Sequence, residues 1–488
     1  MDPSHAKSYG TYAVQEGSST GSMNNHDASL DRADKPLLAQ HVYTPDLEAT
    51  GQQESNPKFH QLGWKRLTIL AMVEAIAIGS LGLPRAFATL GMVMGVFLSI
   101  AIGLVAISTA YTIGQVKLRY PQVSHYADVG SLLFGNGIGS SIFAAAFVLL
   151  LTFAVGSHCL TGAIAFKEIL QTNICSTAFG AISAAILLLL AIPPSFADIA
   201  ILGYIDFASI ILAIFVTIVA TGVQDRGSLG DPEPYVEWSA WPKQGITFEE
   251  AVVSTNSIVF AYAFGGCLPS FMSDMHTPGD YTKALWWLGG SQMCIYTLTG
   301  SLIYLFVGQT VQSPALLSAG PQISRIVFGI ALPVIFISGS INTTVVCRYL
   351  HSKIFAHSAA RHVNSRTGWA TWLGLVSAVT LLAWVIAEAI PIFSDILSIS
   401  CSLFISGMSY YIPPVLWFVL LKQGKWYDRG NWKAAACNGV AFAIGVVILV
   451  CGTYASVAEL VSLLFLEFDL FVEADYCCDG RFERRSLD

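Results

Sequence analysis

Long apolar stretches that carry no charge alternate with short polar segments along most of the chain. No Asp, Glu, Lys or Arg occurs in 86–116, 129–166, 169–197, 207–224, 251–273, 284–324, 326–347, 367–387, 396–421 or 434–458. A helix needs about 20 apolar residues to cross the hydrocarbon core of a bilayer, and these runs are of that order. They predict an all-α polytopic membrane protein with eleven spans, near 67–91, 92–116, 138–165, 179–195, 199–222, 248–272, 284–307, 324–350, 369–390, 393–421 and 434–457. A transmembrane β-barrel would show short alternating strands instead. Residues 1–62 are rich in Ser, Gly, Asp and Asn and read as a disordered cytoplasmic tail. Residues 63–457 form the membrane domain, and 458–488 a divergent carboxyl-terminal tail, acidic and then basic.

Composition agrees with the pattern. The chain is 54% hydrophobic and only 12% charged, against about 25% charged in ordinary globular chains. The first 60 residues contain no apolar core and so are not a signal peptide. The 10 cysteines are scattered singly, apart from Cys477-Cys478, and read as packing residues with no metal-binding spacing. Basic residues set the orientation. Lys58, Lys65, Arg66, Lys117, Arg119, Lys283, Arg348, Lys353, Arg361, Arg366, Lys422, Lys425, Arg429 and Lys433 fall on one side, while Lys167, Arg226 and Lys243 fall on the other. The amino terminus is therefore expected in the cytoplasm.

Two spans carry the same breaker cluster. "IGSLGLP" ends at Pro84 in the first, and "AFGGCLP" ends at Pro269 in the sixth. Five spans separate them, so the two helices enter the membrane from opposite sides. That pattern predicts two inverted five-helix halves, each opened by a broken helix, plus an eleventh helix. Unwound backbone at mid-membrane is tolerated where it lines a cavity. There it exposes N–H groups that suit a carboxylate and carbonyls that suit an ammonium. The predicted substrate site is Gly79, Ser80, Leu81 and Gly82 facing Phe260, Tyr262, Gly265 and Gly266. The aromatic residues among them are placed to enclose a side chain.

At these residues the chain resembles the amino acid/auxin permease family, and within it the fungal neutral amino acid permeases. The resemblance is carried by "SLGLP", "ATLGMVMGV", "KLRYPQVSHYADVGSLLFG", "SIVFAYAFGGCLPSFMSDMHTPGDYTKAL", "SPALLSAGP", "AWVIAEAIPIFSDILS" and "LLKQGKWY", over roughly residues 64–457. One departure is "AYAFGGCLP" where members often read "AYAGHVAF". The resemblance implies the leucine-transporter architecture and alternating access. It also implies secondary import of neutral aliphatic or aromatic amino acids, usually with protons, at the plasma or vacuolar membrane.

Glu74 lies five residues before Gly79, about one and a half turns below the break. A charge near the bilayer centre costs several kcal/mol, so this acid is most easily carried there neutral, as a proton-coupling carboxylate requires. The resemblance makes Asn342 and Thr343 its neighbours in a coupling-ion site formed by the first and eighth spans. Sodium is the rival ion, since a carboxylate also suits a hard cation. Asp206 and His158 are further intramembrane ionisable residues, with capping and hydrogen-bonding readings open. No phosphate loop, no His-Glu-x-x-His and no paired carboxylates point to an enzyme. The expected partners are an amino acid, a coupling proton and the bilayer, with no cofactor, metal or nucleic acid. A non-transporting amino acid sensor and a channel are the alternatives from other classes.

Overall fold

The computed structural model describes residues 63–462 apart from 136, 173, 195, 225–236, 356–362 and 364. The predicted terminal tail 1–62, and the carboxyl-terminal tail beyond 462, lie outside the described residues. Among the described residues every long regular element is a helix. In chain order these are α1 (Trp64–Leu90), α2 (Met92–Arg119), α3 (Asp128–Phe134), α4 (Ile138–Leu170), α5 (Ser176–Leu190), α6 (Phe196–Val223), α7 (Phe248–Ala261), α8 (Leu268–Ser273), α9 (Tyr281–Val307), α10 (Pro321–Ile354), α11 (Arg366–Ala389), α12 (Phe393–Leu421) and α13 (Trp432–Ser462). Eight of them are long and apolar enough to span a bilayer, and bent α1 makes up to nine. The other predicted spans correspond to the 15-residue α5 and to the interrupted pair α7–α8. α13 continues helically past the predicted boundary at 457, to Ser462.

Polarity runs from inside to outside in the sense a membrane demands. Phe97, Leu104 and Phe215 face outward at 60%, 52% and 63% exposure, whereas Asp206, Thr343 and Gln292 are wholly buried. Lipid offers the backbone no hydrogen bonds, so each span satisfies its own. Buried hydroxyls follow suit and donate one turn back, as from Thr152 to the Val148 carbonyl (2.7 Å) and Thr344 to the Ser340 carbonyl (2.9 Å). α10 is the central post. Its most apolar stretch is 72% buried against 28% for α13, and it packs on α4, α6, α11 and α1. α1 in turn packs on α9, α7 and α6.

The two predicted breaks differ. The sixth span is interrupted as expected. α7 stops at Ala261, Tyr262–Cys267 is non-helical, and Pro269 sits in the first turn of α8. The first is a correction: α1 remains helical through Gly79–Pro84 and bends by 46° between Ala77 and Gly79. Two local causes account for a bend without unwinding. Pro84 removes one donor inside the helix, and the Ser80 hydroxyl donates to the Ile76 carbonyl (2.8 Å), a one-turn-back bond that bends helices.

Candidate functional site

The bend of α1 and the gap after α7 touch. A Cβ added at Gly79 would lie 2.8 Å from the Ala261 Cα, so only glycine permits this approach. The Tyr296 hydroxyl, from α9, spans the contact and donates to the carbonyls of Ala75 (2.8 Å) and Ala261 (3.0 Å). Beyond Ala261 the chain cannot satisfy itself. Among the described residues, the amides of Phe264, Gly265 and Cys267 form no hydrogen bond.

Beside this junction lies a cavity with about 40 Å³ of solvent-sized room, enough for a few waters at most. Its wall takes Glu74, Ala75 and Gly79 from α1, Phe260 from α7, and Ala263, Gly266 and Cys267 from the gap. The remainder comes from Leu150, Leu151, Ala154 and His158 of α4, Asn342 of α10 and Ile405 of α12. α12 is wound in π-helical turns over Cys401–Tyr411, the stretch that carries Ile405. The Cys267 thiol donates to Glu74 Oε1 (3.7 Å) and lies 4.0 Å from Asn342 Oδ1. Glu74 Oε2 and His158 Nδ1 are buried without a hydrogen-bond partner. The Cβ of His158 lies against Gly339 of α10.

Five of the predicted site residues border this cavity: Glu74, Gly79, Phe260, Gly266 and Asn342. The others stand outside its wall. Leu81 packs in the core, and Gly82 faces Leu397 and Phe393 of α12. The Tyr262 hydroxyl bonds Ser99 Oγ (3.2 Å), Gly265 faces Ile113, and Thr343 donates to the Gly339 carbonyl (3.1 Å). Ser80, as above, bonds its own helix. The α4 contribution and Ile405 carry no motif and were not singled out as substrate contacts. Of them only His158 gave a signal, as an ionisable residue inside a span.

Contacts between segments tie both ends of the helix bundle. At the end where α2 begins, residues 237–243 form a strap. Met92 N donates to the Ser239 carbonyl (3.0 Å), Val93 N to Ala240 (3.1 Å) and Lys243 N to Thr89 (3.1 Å). Gly91 has φ +81°, and a Cβ there would meet the Trp241 carbonyl carbon at 2.3 Å. The opposite end lies 28 residues along α2, about 42 Å away. There Arg348 of α10 pairs with Asp274 just after α8 (3.0 Å), and Lys353 pairs with Asp128 of α3 (3.2 Å). His125 Nδ1 is hydrogen-bonded to Ser270 Oγ of α8 (3.0 Å), and the ring stands edge-on to Tyr349. Burial pushes the His125 ring from 6.5 down to about 4, with Asp128 opposing the fall and Arg348 adding to it. It is therefore neutral at ordinary pH.

A family model described as transmembrane amino acid transporter protein matches residues 60–458, nearly the whole helical region. The chain belongs to the transmembrane amino acid transporter family. Among its relatives, the N amino acid transport system protein of Neurospora crassa is 52% identical over 410 residues, covering 84% of this chain and 87% of that protein. A transmembrane transporter of Gibberella moniliformis is 26% identical over 408 residues, and one of Fusarium pseudograminearum 24% identical over 458. The family and these relatives are transporters and not enzymes, and the chain is a multi-pass membrane protein of amino acid transport.

Proposed function

We propose that this transporter imports neutral aliphatic or aromatic amino acids by proton symport, as two inverted five-helix halves plus an eleventh helix that give alternating access. The reading places the protein in the plasma membrane with its amino terminus in the cytoplasm, residues 1–62 and 458–488 flanking the transport domain. The observation that carries it is the cavity. A buried carboxylate and uncommitted backbone amides, where the bend of α1 meets the gap after α7, suit the two charged ends of an α-amino acid. The rest of the wall, Leu150, Leu151, Ala154, Phe260 and Ile405, suits an uncharged side chain. With room for only a few waters, the cavity is closed to substrate and must widen to admit it. The relative's printed name, N amino acid transport system protein, points the same way.

In this reading Gly79, Phe260 and Gly266 bound the ligand directly. Ser80, Leu81, Gly82, Tyr262 and Gly265 shape the surrounding segments. Glu74 is the coupling carboxylate, beside Asn342, with Thr343 one position on. Reconstituted protein should accumulate labelled neutral amino acid under an acid-outside gradient without sodium, and a protonophore should abolish this. Glu74→Gln should lose the pH-driven accumulation. Accumulation that follows a sodium gradient, or uptake that only equilibrates, would overturn the reading.

A further inference from the structure

We propose that His158 is the second half of the proton site: it receives the proton that Glu74 gives up when substrate binds. The inference rests on the proton-symport reading above and adds a residue and a step to it.

Glu74 Oε2 and His158 Nδ1 are both buried, both without a hydrogen-bond partner, and both border the same cavity. A buried polar atom left unsatisfied is costly, and two of them around one cavity call for a shared partner. The cavity has room for water. Nδ1 is the ring nitrogen left without a partner, and in the tautomer that carries its hydrogen on Nε2 it is a proton acceptor. A water between the two groups can take the proton of the Glu74 carboxyl and pass its own to His158 Nδ1. The O–H bond of Glu74 breaks, an N–H bond forms on His158, and the water is regenerated. Carboxylate and imidazolium replace carboxylic acid and imidazole, and the net charge of the cavity does not change. That matters in a span, where one uncompensated charge costs several kcal/mol.

Substrate supplies the reason to move the proton. Its α-ammonium seeks the Glu74 carboxylate, the only acidic side chain in the described wall, and so favours the form with the proton on His158. Proton and amino acid are then held together at one site, in a cavity that has widened to admit the substrate. Of the other titratable groups, Cys267 also borders the cavity, and its thiol is already committed as donor to Glu74 Oε1. α10 presents Gly339 and Asn342, α12 presents Ile405, and α5 carries no ionisable group except through its neighbour Cys175 at the helix start. Glu388 of α11 lies against Gly180 of α5, outside the cavity wall, and Asp128 of α3 pairs with Lys353.

The test counts protons. Calorimetry of a bound neutral amino acid, in buffers of different ionisation enthalpy, gives the protons released per substrate bound, whatever the affinity. Wild type should release about none, because His158 keeps the proton. His158→Gln should release about one. It should also lose pH-driven accumulation, which for one proton per substrate reaches about tenfold per pH unit. His158→Asn removes the same titration and is read if the Gln protein does not fold. Release of about one proton by wild type itself overturns the proposal without any variant. So does an unchanged count in both variants. Failure of wild type to accumulate under a pH gradient would instead sink the symport reading.

Discussion

Gly79 and Gly82 look alike in the motif but stand in different surroundings. A Cβ at Gly79 falls 2.8 Å from backbone, the Ala261 Cα, whereas one at Gly82 meets the Leu397 Cδ1 at 3.4 Å, an ordinary contact with a movable side chain. Both lie within helix, where glycine is about 0.5–1 kcal/mol worse than alanine. Gly82→Ala should therefore keep uptake and hold or raise the melting temperature. Gly79→Ala must push α1 away from α7 and strain the bonds of Tyr296 to both carbonyls. Overpacking of this kind costs about 1–3 kcal/mol, and it distorts the cavity wall as well. Melting temperature in detergent and uptake per surface molecule decide the matter. Equal behaviour of the two alanine proteins would mean the helices do not approach as closely as described.

At the scale of elements, the spans and the sixth break were legible because their signals are local: missing charge over about 20 residues, and two glycines before a proline. The first break was misread because the same letters have two outcomes. In α1 the chain stays helical through Gly79–Pro84 and bends, while after α7 it leaves the helix for six residues. Glu74 and Asn342 could be found as polar residues inside spans. Leu150, Leu151 and Ala154 could not, since nothing in an apolar helix marks which face meets a cavity. The charged end of the molecule was legible only as orientation, yet its elements form a network. Its His125 gives a pH prediction. The folded ring titrates near 4 against 6.5 when free, so the network's contribution is full above pH 6.5 and is lost as pH falls toward 4. The melting temperature should drop across that window, and His125→Asn should flatten the drop. An identical slope in both proteins would remove His125 from the account.

For the whole molecule, the alternating access proposed above becomes a question of which tied end yields first. The strap is held by backbone bonds, whereas the opposite end relies on the pairs of Asp274 with Arg348 and Asp128 with Lys353. Native Cys267 reports on this directly, because its thiol borders the cavity and is buried. With the exposed Cys294 and Cys437 replaced by serine, a water-soluble thiol reagent should modify Cys267 slowly, and more slowly still when substrate fills the cavity. Arg348→Gln leaves Asp274 without its partner at a site only 13–20% exposed. The cost lies between the roughly 1 kcal/mol of a surface pair and the several of a buried one. Closure at that end should weaken accordingly, and modification should speed up about tenfold or more, since 1.4 kcal/mol is a factor of ten. The acceleration should appear in inside-out vesicles and not in right-side-out ones, because the basic end is assigned to the cytoplasm. Equal acceleration from both sides would mean that the pair holds the fold together and not one gate, and acceleration from the outside alone would reverse the orientation.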